Sequence, residues 1–378
     1  MIPILFLDHA TALGGAEFSL LLLLKHLDAA RWQPHLACSP GQLAEKARLL
    51  GIPIYLTDYP RLRRSPHFLG DWLKGANEMA RLAREIGARA LYANTVRAAV
   101  YAAPAARLAR LPFIWHMRDF WLSEARPRHV WADGLGKSVL IANAARVLTN
   151  SHAVAKGLPP SSKIKVVHNA LEIERYDASL NGRSFRMTYG IPPTAPVVGV
   201  VGRLRPWKGQ DRFVQAMAQV SKALPEARFL IVGSEIFGVQ DAYEQALRQL
   251  VVTLGLAEKV IFTGQLSDVR LALAAMDVFV HPGEPEPFGL VNIEAMAMGK
   301  PVVAFGHGAL PEIVVDGETG VLVPPGEGAL LAEAVLGLLR DPTRGRQMGW
   351  AGRARVETHF TIQQTVAGVE QVLDEVLR

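Results

Sequence analysis

The chain alternates short, wholly apolar runs with amphipathic stretches, and it does so in two successive series. The first series opens with "IPILFLD" (2–8), "AEFSLLLLLKHLDAA" (16–30), "PHLACS" (34–39), "LAEKARLLG" (43–51) and "PIYLT" (53–57). It continues through "ALYANT" (90–95), "PFIWHM" (112–117) and "RVLTNS" (146–151) to "KIKVVHNAL" (163–171). The apolar runs do not alternate with polar residues, as strands buried on both faces do not, and the stretches between them suit covering helices. A polar stretch without apolar period, "EIERYDASLNGRSF" (172–185), reads as a linker. The second series then starts at "PVVGVVG" (196–202) and runs through "RFLIVGS", "VIFTGQ", "VFVHP" and "KPVVAFG" to "TGVLVPP" (319–325). The fold class is α/β, with two doubly wound domains in tandem. Ligands of such sheets bind at the carboxyl ends of strands, and two facing domains would leave an interdomain cleft. The expected domains are 1–175 and 186–357. The last helix, about 360–378, still carries an apolar face after the second domain is complete, so it is expected to rejoin the first.

A length of 378 residues fits two domains. The one cysteine, Cys38, allows neither an internal disulfide nor a cysteine-rich metal cluster, which fits a reducing cytoplasm. "MIPILFLDHA" lacks a basic leader and is interrupted by Asp8, so it reads as a strand and not a signal peptide. The leucine run 20–24 ends at Lys25, and no apolar run approaches the roughly 18 residues of a membrane span. Charge is uneven: residues 1–175 carry 23 Lys+Arg against 13 Asp+Glu, and residues 176–378 carry 18 against 22. A basic front half points to an anionic partner or to a solvated face rich in arginine. Part of the excess lies in "DYPRLRRSPHFLGDWLKG" (58–75), where Arg61, Arg63, Arg64 and Lys74 interleave with Leu62, Phe68, Leu69, Trp72 and Leu73. That mixture suits the headgroup region of an anionic membrane surface, which would make a cytoplasmic protein peripheral on the inner face of the membrane. The alternative is a solvated loop whose Trp and Leu pack inward. No nucleic-acid-binding module is recognisable, so nucleic acid is not an expected partner.

Three elements carry chemistry. In "DHATALGGAEFSL" (8–20) a strand leads through Gly14-Gly15 into a helix near Glu17, a turn whose amides can approach an anion. In "VVGRLRPWKGQDRFVQA" (200–216), Arg203 and Lys208 follow a strand with no acid in the loop they bracket, which suits a diphosphate. In "HPGEPEPFGLVNIEAMAMGKPVV" (281–303), a helix starts near Gly289, so the amides of Phe288, Gly289, Leu290 and Val291 are unpaired within the helix and form an anion site. Glu286 precedes that helix and Glu294 lies within it. Carboxylates so placed can accept from vicinal sugar hydroxyls. There is no Asp-x-Asp, and Glu284-Pro-Glu286 lacks a local supporting ligand, so no metal is expected.

These elements together resemble the family 4 retaining glycosyltransferases, the glycosyl transferases group 1, of the two-Rossmann-domain GT-B type. The resemblance rests on "EPFGLVNIE" (286–294), "GRLRPWKG" (202–209), Gly14-Gly15, "HNA" (168–170, with Ala170 for the usual Gly) and "GALPEIVVDGETGVLVPP" (308–325), in order along nearly the whole chain. It implies two Rossmann-like domains and a sugar transfer from a nucleotide-diphosphate sugar, with no cofactor, to a saccharide or lipid-linked acceptor in envelope or exopolysaccharide synthesis. It further implies that Glu294 binds the ribose, Glu286 binds hydroxyls of the donor sugar, and Arg203 and Lys208 stabilise the leaving diphosphate. His116, in "WHMRD", would face the donor sugar, unless it is a core or capping histidine. Asn94-Thr95 is a candidate acceptor contact. Two other readings stand beside it: a nucleotide-sugar epimerase on the same architecture, which needs acid–base groups, and a non-catalytic nucleotide-sugar-binding protein.

Overall fold

The structure is a computed structural model, and it describes residues 1–59, 67–120, 130–235 and 242–378. The chain forms two compact units, 1–170 with 362–378, and 171–361.

Unit 1 is a seven-stranded sheet: β1 (Ile2–Asp8), β2 (Trp32–Cys38), β3 (Ile54–Leu56), β4 (Ala90–Ala93), β5 (Phe113–Met117), β6 (Arg146–Thr149) and β7 (Ile164–Val166). All pairings are parallel, in the order β3-β2-β1-β4-β5-β6-β7. Successive side chains point to opposite faces of a strand, and both faces are covered here. Leu5, Leu7, Leu91 and Trp115 pack with residues of the helices Phe68–Glu85, Val96–Ala109 and Val130–Asn143. Ile4, Phe6, Tyr92 and Ile114 pack with the helices Gly15–His26 and Ile362–Leu377. The latter helix buries Ile362, Val366, Val369, Val372 and Leu373, a spacing of three and four residues that makes one apolar stripe. Its polar side pairs Asp374 with Arg31 at 2.5 Å and Glu375 with Arg146 at 3.2 Å.

Unit 2 is a six-stranded parallel sheet: β8 (Val197–Val201), β9 (Arg228–Val232), β10 (Val260–Gly264), β11 (Val278–His281), β12 (Val302–Phe305) and β13 (Gly320–Val323), in the order β10-β9-β8-β11-β12-β13. Val197, Leu230, Phe279 and Ala304 line one face with Ile293 and Met296, and Val198, Phe229, Ile231 and Val280 line the other with Phe213 and Met217. Full burial of each Val, Leu, Ile, Phe or Met among them contributes about 1.5–3 kcal/mol. The stretch read as a linker has structure of its own. It holds a 3-10 turn at Ile173–Arg175 and leads into the helix Arg183–Thr188. Tyr176, Leu180 and Phe185 pack into the core of unit 2 at a spacing with no helical or strand period.

In each sheet the strand order reverses once, between β1 and β4 and between β8 and β11. That reversal opens a crevice at the carboxyl ends of the two strands. Among the described residues no helix is long and apolar enough to cross a membrane. Of the basic segment 58–75, Arg61, Leu62, Arg63 and Arg64 lie outside the described residues. The part within them is helical from Phe68. Trp72 is turned inward, its indole N–H donating to the Val100 carbonyl at 2.9 Å, while Leu69 and Leu73 are exposed.

Candidate functional site

The crevice of unit 2 gathers the residues singled out from sequence. Gly202 and Arg203 leave the end of β8, and a 3-10 turn, Pro206–Lys208, brings Lys208 back toward it. The segment 281–289 leaves the end of β11 and enters the helix Leu290–Ala297, which Gly289 caps in a left-handed conformation. The two loops are stitched together, the Glu284 N–H donating to the Trp207 carbonyl at 2.7 Å. Gly209 makes that approach possible. Its φ is +73°, and a Cβ there would lie 2.2 Å from the Pro282 carbonyl oxygen. Gly308 does the same on the other side, where a Cβ would sit 2.6 Å from the backbone N and O of Glu286.

The three glutamates of this region have three environments. Glu284 is at the rim and ion-paired with Arg212. Glu286 is half-buried and ion-paired with Lys208. Lys208 therefore has an acid partner after all, one 78 residues away. Burial alone would raise the Glu286 carboxyl. The Lys208 ammonium, with His281 and Arg203, overrides it and holds the carboxyl below its ordinary range. His281 at the end of β11 places Nε2 3.7 Å from the same carboxylate. Its own pKa is pushed down to about 4, mainly by burial, so the ring is neutral near pH 7. Asn292 fixes the turn between them, donating to the Gly289 carbonyl at 3.0 Å and lying 3.4 Å from His281 Nδ1. Glu294 is half-buried and accepts a 3.1 Å hydrogen bond from the Tyr176 hydroxyl, and burial pushes its carboxyl above the ordinary value. Arg203 is exposed, and Leu290 forms the first turn of the helix. The Phe288 ring is buried edge-on against Phe360 at 5.8 Å.

The crevice of unit 1 is filled from within. Asp8, at the end of β1, accepts from Ala10 N–H at 2.9 Å and from the Asn94 amide at 2.7 Å. The Asn94 oxygen accepts from Arg118 Nε at 2.6 Å, and Arg118 donates onward to Asn169 at 2.5 Å. Asn150 donates to the Arg118 carbonyl at 2.9 Å. Asp8, Asn94 and Arg118 are buried. Burial, then the nearby Glu17 carboxylate, pushes Asp8 up to about 7.

Four sequence expectations are revised here. His116 lies inside β5, fully buried, with Nδ1 on the Tyr92 hydroxyl. Burial, then Arg118, holds it far below its ordinary pKa, so it is a neutral core histidine with no exposed surface to face a sugar. Asn94 is spent on Asp8 and Arg118. Thr95 is the N-cap of the helix Val96–Ala109, accepting from Ala98 N–H at 3.2 Å. The first helix starts at Gly15, two residues earlier than Glu17, and the Gly14 N–H is taken by the Glu17 carboxylate at 2.7 Å. A strand end followed by a helix start attracts the same Gly, Asn and Thr whether the turn binds a ligand or only caps itself.

The family model described as Glycosyl transferases group 1 matches residues 183–355, and that described as Glycosyltransferase Family 4 matches residues 13–175. The chain belongs to this glycosyltransferase family. The lipopolysaccharide core biosynthesis mannosyltransferase LpsB of Rhizobium meliloti is 28% identical over 264 residues, 69% of this chain and 73% of that protein. A GDP-mannose-dependent monoacylated alpha-(1-6)-phosphatidylinositol monomannoside mannosyltransferase of Corynebacterium glutamicum is 39% identical over 185 residues, 47% of this chain and 46% of that one. For that relative the matched segment is thus about half its length. The crystal structure of Anabaena Alr3699/HepE in complex with UDP superposes with a TM-score of 0.86 at 28% identity, covering 99% of this chain and 100% of that one. The same Anabaena protein is also solved with UDP-glucose, at a TM-score of 0.83 and 29% identity. Two parallel sheets of seven and six strands with this order are the GT-B fold.

In this glycosyltransferase, three residues of the unit 2 crevice carry no signal in the motif spacing: His281, Asn292 and Tyr176. His281 closes an apolar strand and reads as a strand terminus. Asn292 and Tyr176 act through contacts set by the turn at Gly289 and by the non-periodic stretch after Leu171.

Proposed function

We propose that this glycosyltransferase moves a sugar from a nucleotide-diphosphate sugar to a saccharide or lipid-linked acceptor of a cell-envelope glycan, with retention at the anomeric carbon. The pairing of Lys208 with Glu286, beside exposed Arg203 at the β8/β11 reversal, carries the reading. A cation and a carboxylate in contact there match a ligand whose diphosphate adjoins a hydroxyl-rich ring. Lys208 and Arg203 meet the phosphates, and Glu286 accepts from sugar hydroxyls. Breakage of the anomeric C–O bond leaves negative charge on the diphosphate, and fixed cations stabilise that charge more than the ground state. The acceptor hydroxyl forms the new bond on the face the diphosphate leaves, and its proton passes to a phosphate oxygen. His281, neutral and buried beside Glu286, is not needed as an acid. Positive charge comes from the two side chains, so transfer is expected to persist in EDTA.

The relatives named for lipopolysaccharide core and phosphatidylinositol mannoside synthesis act on lipid-anchored glycans by their names, which supports an acceptor of that kind. GDP and UDP are the nucleotides those names and structures supply. The test is a thermal-shift series with UDP, GDP and ADP, followed by labelled donors of whichever nucleotide binds, with and without EDTA. A nucleotide at about 100 times its Kd stabilises by about 2.7 kcal/mol. Absence of stabilisation by all three, or transfer that requires added Mg²⁺ or Mn²⁺, overturns the corresponding part of the proposal.

A further inference from the structure

Glu294 has a partner that no motif names. Tyr176 reaches it from the stretch that follows Leu171, and its hydroxyl donates to Glu294 Oε1 at 3.1 Å. The backbone that carries this tyrosine is clamped on both sides. Arg353 Nη1 donates to the Tyr176 carbonyl at 2.7 Å and to the Ala297 carbonyl at 2.5 Å, so one guanidinium ties Tyr176 to the end of the helix that bears Glu294. Arg270 Nη1 donates to the preceding carbonyl, Arg175, at 2.5 Å, and Arg270 is itself held by Asp268 at 2.5 Å. Two separate segments thus fix the backbone that carries this phenolic hydroxyl.

We propose that Tyr176 is a positioning residue for the donor nucleotide: its hydroxyl holds one oxygen of Glu294, leaving the second to accept from the ribose hydroxyls. The inference rests on the donor reading above, in which Glu294 binds ribose. A carboxylate with one oxygen already engaged has fewer rotamers to lose on binding, which is preorganisation. The donated hydrogen bond also favours the ionised form, which is the accepting one. The charged groups that act on Glu294 are Asp268, which opposes ionisation, and Arg175, which favours it, with Arg270 acting on Tyr176. Burial is the largest influence and raises the carboxyl, so nucleotide affinity should fall toward low pH sooner than an ordinary glutamate would require.

The experiment is calorimetry of UDP and GDP against the full chain from pH 5 to pH 8, with Tyr176→Phe, Glu294→Gln, the double variant and Glu294→Ala. Tyr176→Phe keeps the ring and should weaken the bound nucleotide about three- to ten-fold. It should also move the low-pH fall in affinity to higher pH, which a packing defect would not do. On the Glu294→Gln background the same change should have little effect, since no charge is left to hold. If Tyr176→Phe leaves affinity and pH profile unchanged while Glu294→Ala abolishes binding, the positioning role is wrong and the donor reading stands. An equal loss on both backgrounds also overturns the role. If Glu294→Ala binds as the wild type does, the ribose assignment itself is wrong, and the role of Tyr176 falls with it.

Discussion

The two units reverse their strand order at equivalent places, β1/β4 and β8/β11, and each gathers ionisable groups there, yet those groups are arranged in opposite ways. In unit 1, Arg118 is 5% exposed and its guanidinium spans Asn94 and Asn169. In unit 2, Arg203 is exposed and Lys208 touches a single carboxylate. The carboxyls differ in the same sense: Asp8 is pushed up by burial, while Glu286 is held down by a cation. A doubly wound sheet supplies a polar crevice wherever its order reverses. Whether that crevice is a keystone or a ligand site depends on how far the chain satisfies its own charges.

The largest expected effect tests the keystone. Arg118→Ala leaves Asn94 and Asn169 without their donor and the Asp8–Glu17 neighbourhood without its cation. Loss of one member of a buried charged set typically costs about 3–5 kcal/mol. Urea unfolding of the variant should reveal that loss, and Arg118→Lys should recover little, because an ammonium cannot span both asparagines as a planar guanidinium does. A loss below about 1 kcal/mol, within the range of an exposed ion pair, would erase the contrast with unit 2.

Lys208→Ala should act on rate. Removing one group that stabilises developing charge lowers kcat by about 10²–10³. Single-turnover kinetics with the donor identified by thermal shift would measure it, and a wild-type kcat would mean that Lys208 only neutralises Glu286.

The pH dependence of the two carboxyls is the sharpest test in sign. The ordinary pKa of Asp8 is 3.8, and its folded value is about 7. Between those values the folded chain keeps a proton that the unfolded chain releases, so this contribution to stability is full below about 4 and lost as pH rises to about 7. Glu286 is depressed, so its contribution is present above its ordinary value and lost as pH falls through its folded one. Melting curves should therefore move oppositely: Asp8→Asn gains on the wild type as pH rises from about 4 to about 7, and the deficit of Glu286→Gln shrinks as the solution is acidified. Parallel curves for either pair would contradict the cause assigned to that carboxyl.

Much of the fold was legible because its signals are local. Strand runs such as Val197–Val201, and the turn before the helix Leu290–Ala297, follow from composition and glycine placement within a few residues. Residues 172–185 were misread because Tyr176, Leu180 and Phe185 are apolar anchors with no period. At the site, Arg203, Lys208 and Glu286 were legible as charged residues at turns after strands, and Glu294 as a carboxylate inside the helix that follows. His116 and Asn94 were misread because the same position at a strand end can point into the sheet core or out of it.

By itself the sequence determined the two βα series, the order of the motifs and the chemical types available at each strand end. All of these depend on neighbours within one turn or one strand. Only the tertiary structure decided which charges meet. Lys208 and Glu286 are 78 residues apart, Tyr176 and Glu294 are 118 apart, and Asp8 and Asn94 are 86 apart. Coulombic and hydrogen-bond energies act over a few ångströms of space, whatever the distance along the chain, so parallel strand order decides which carboxylate lies beside which cation.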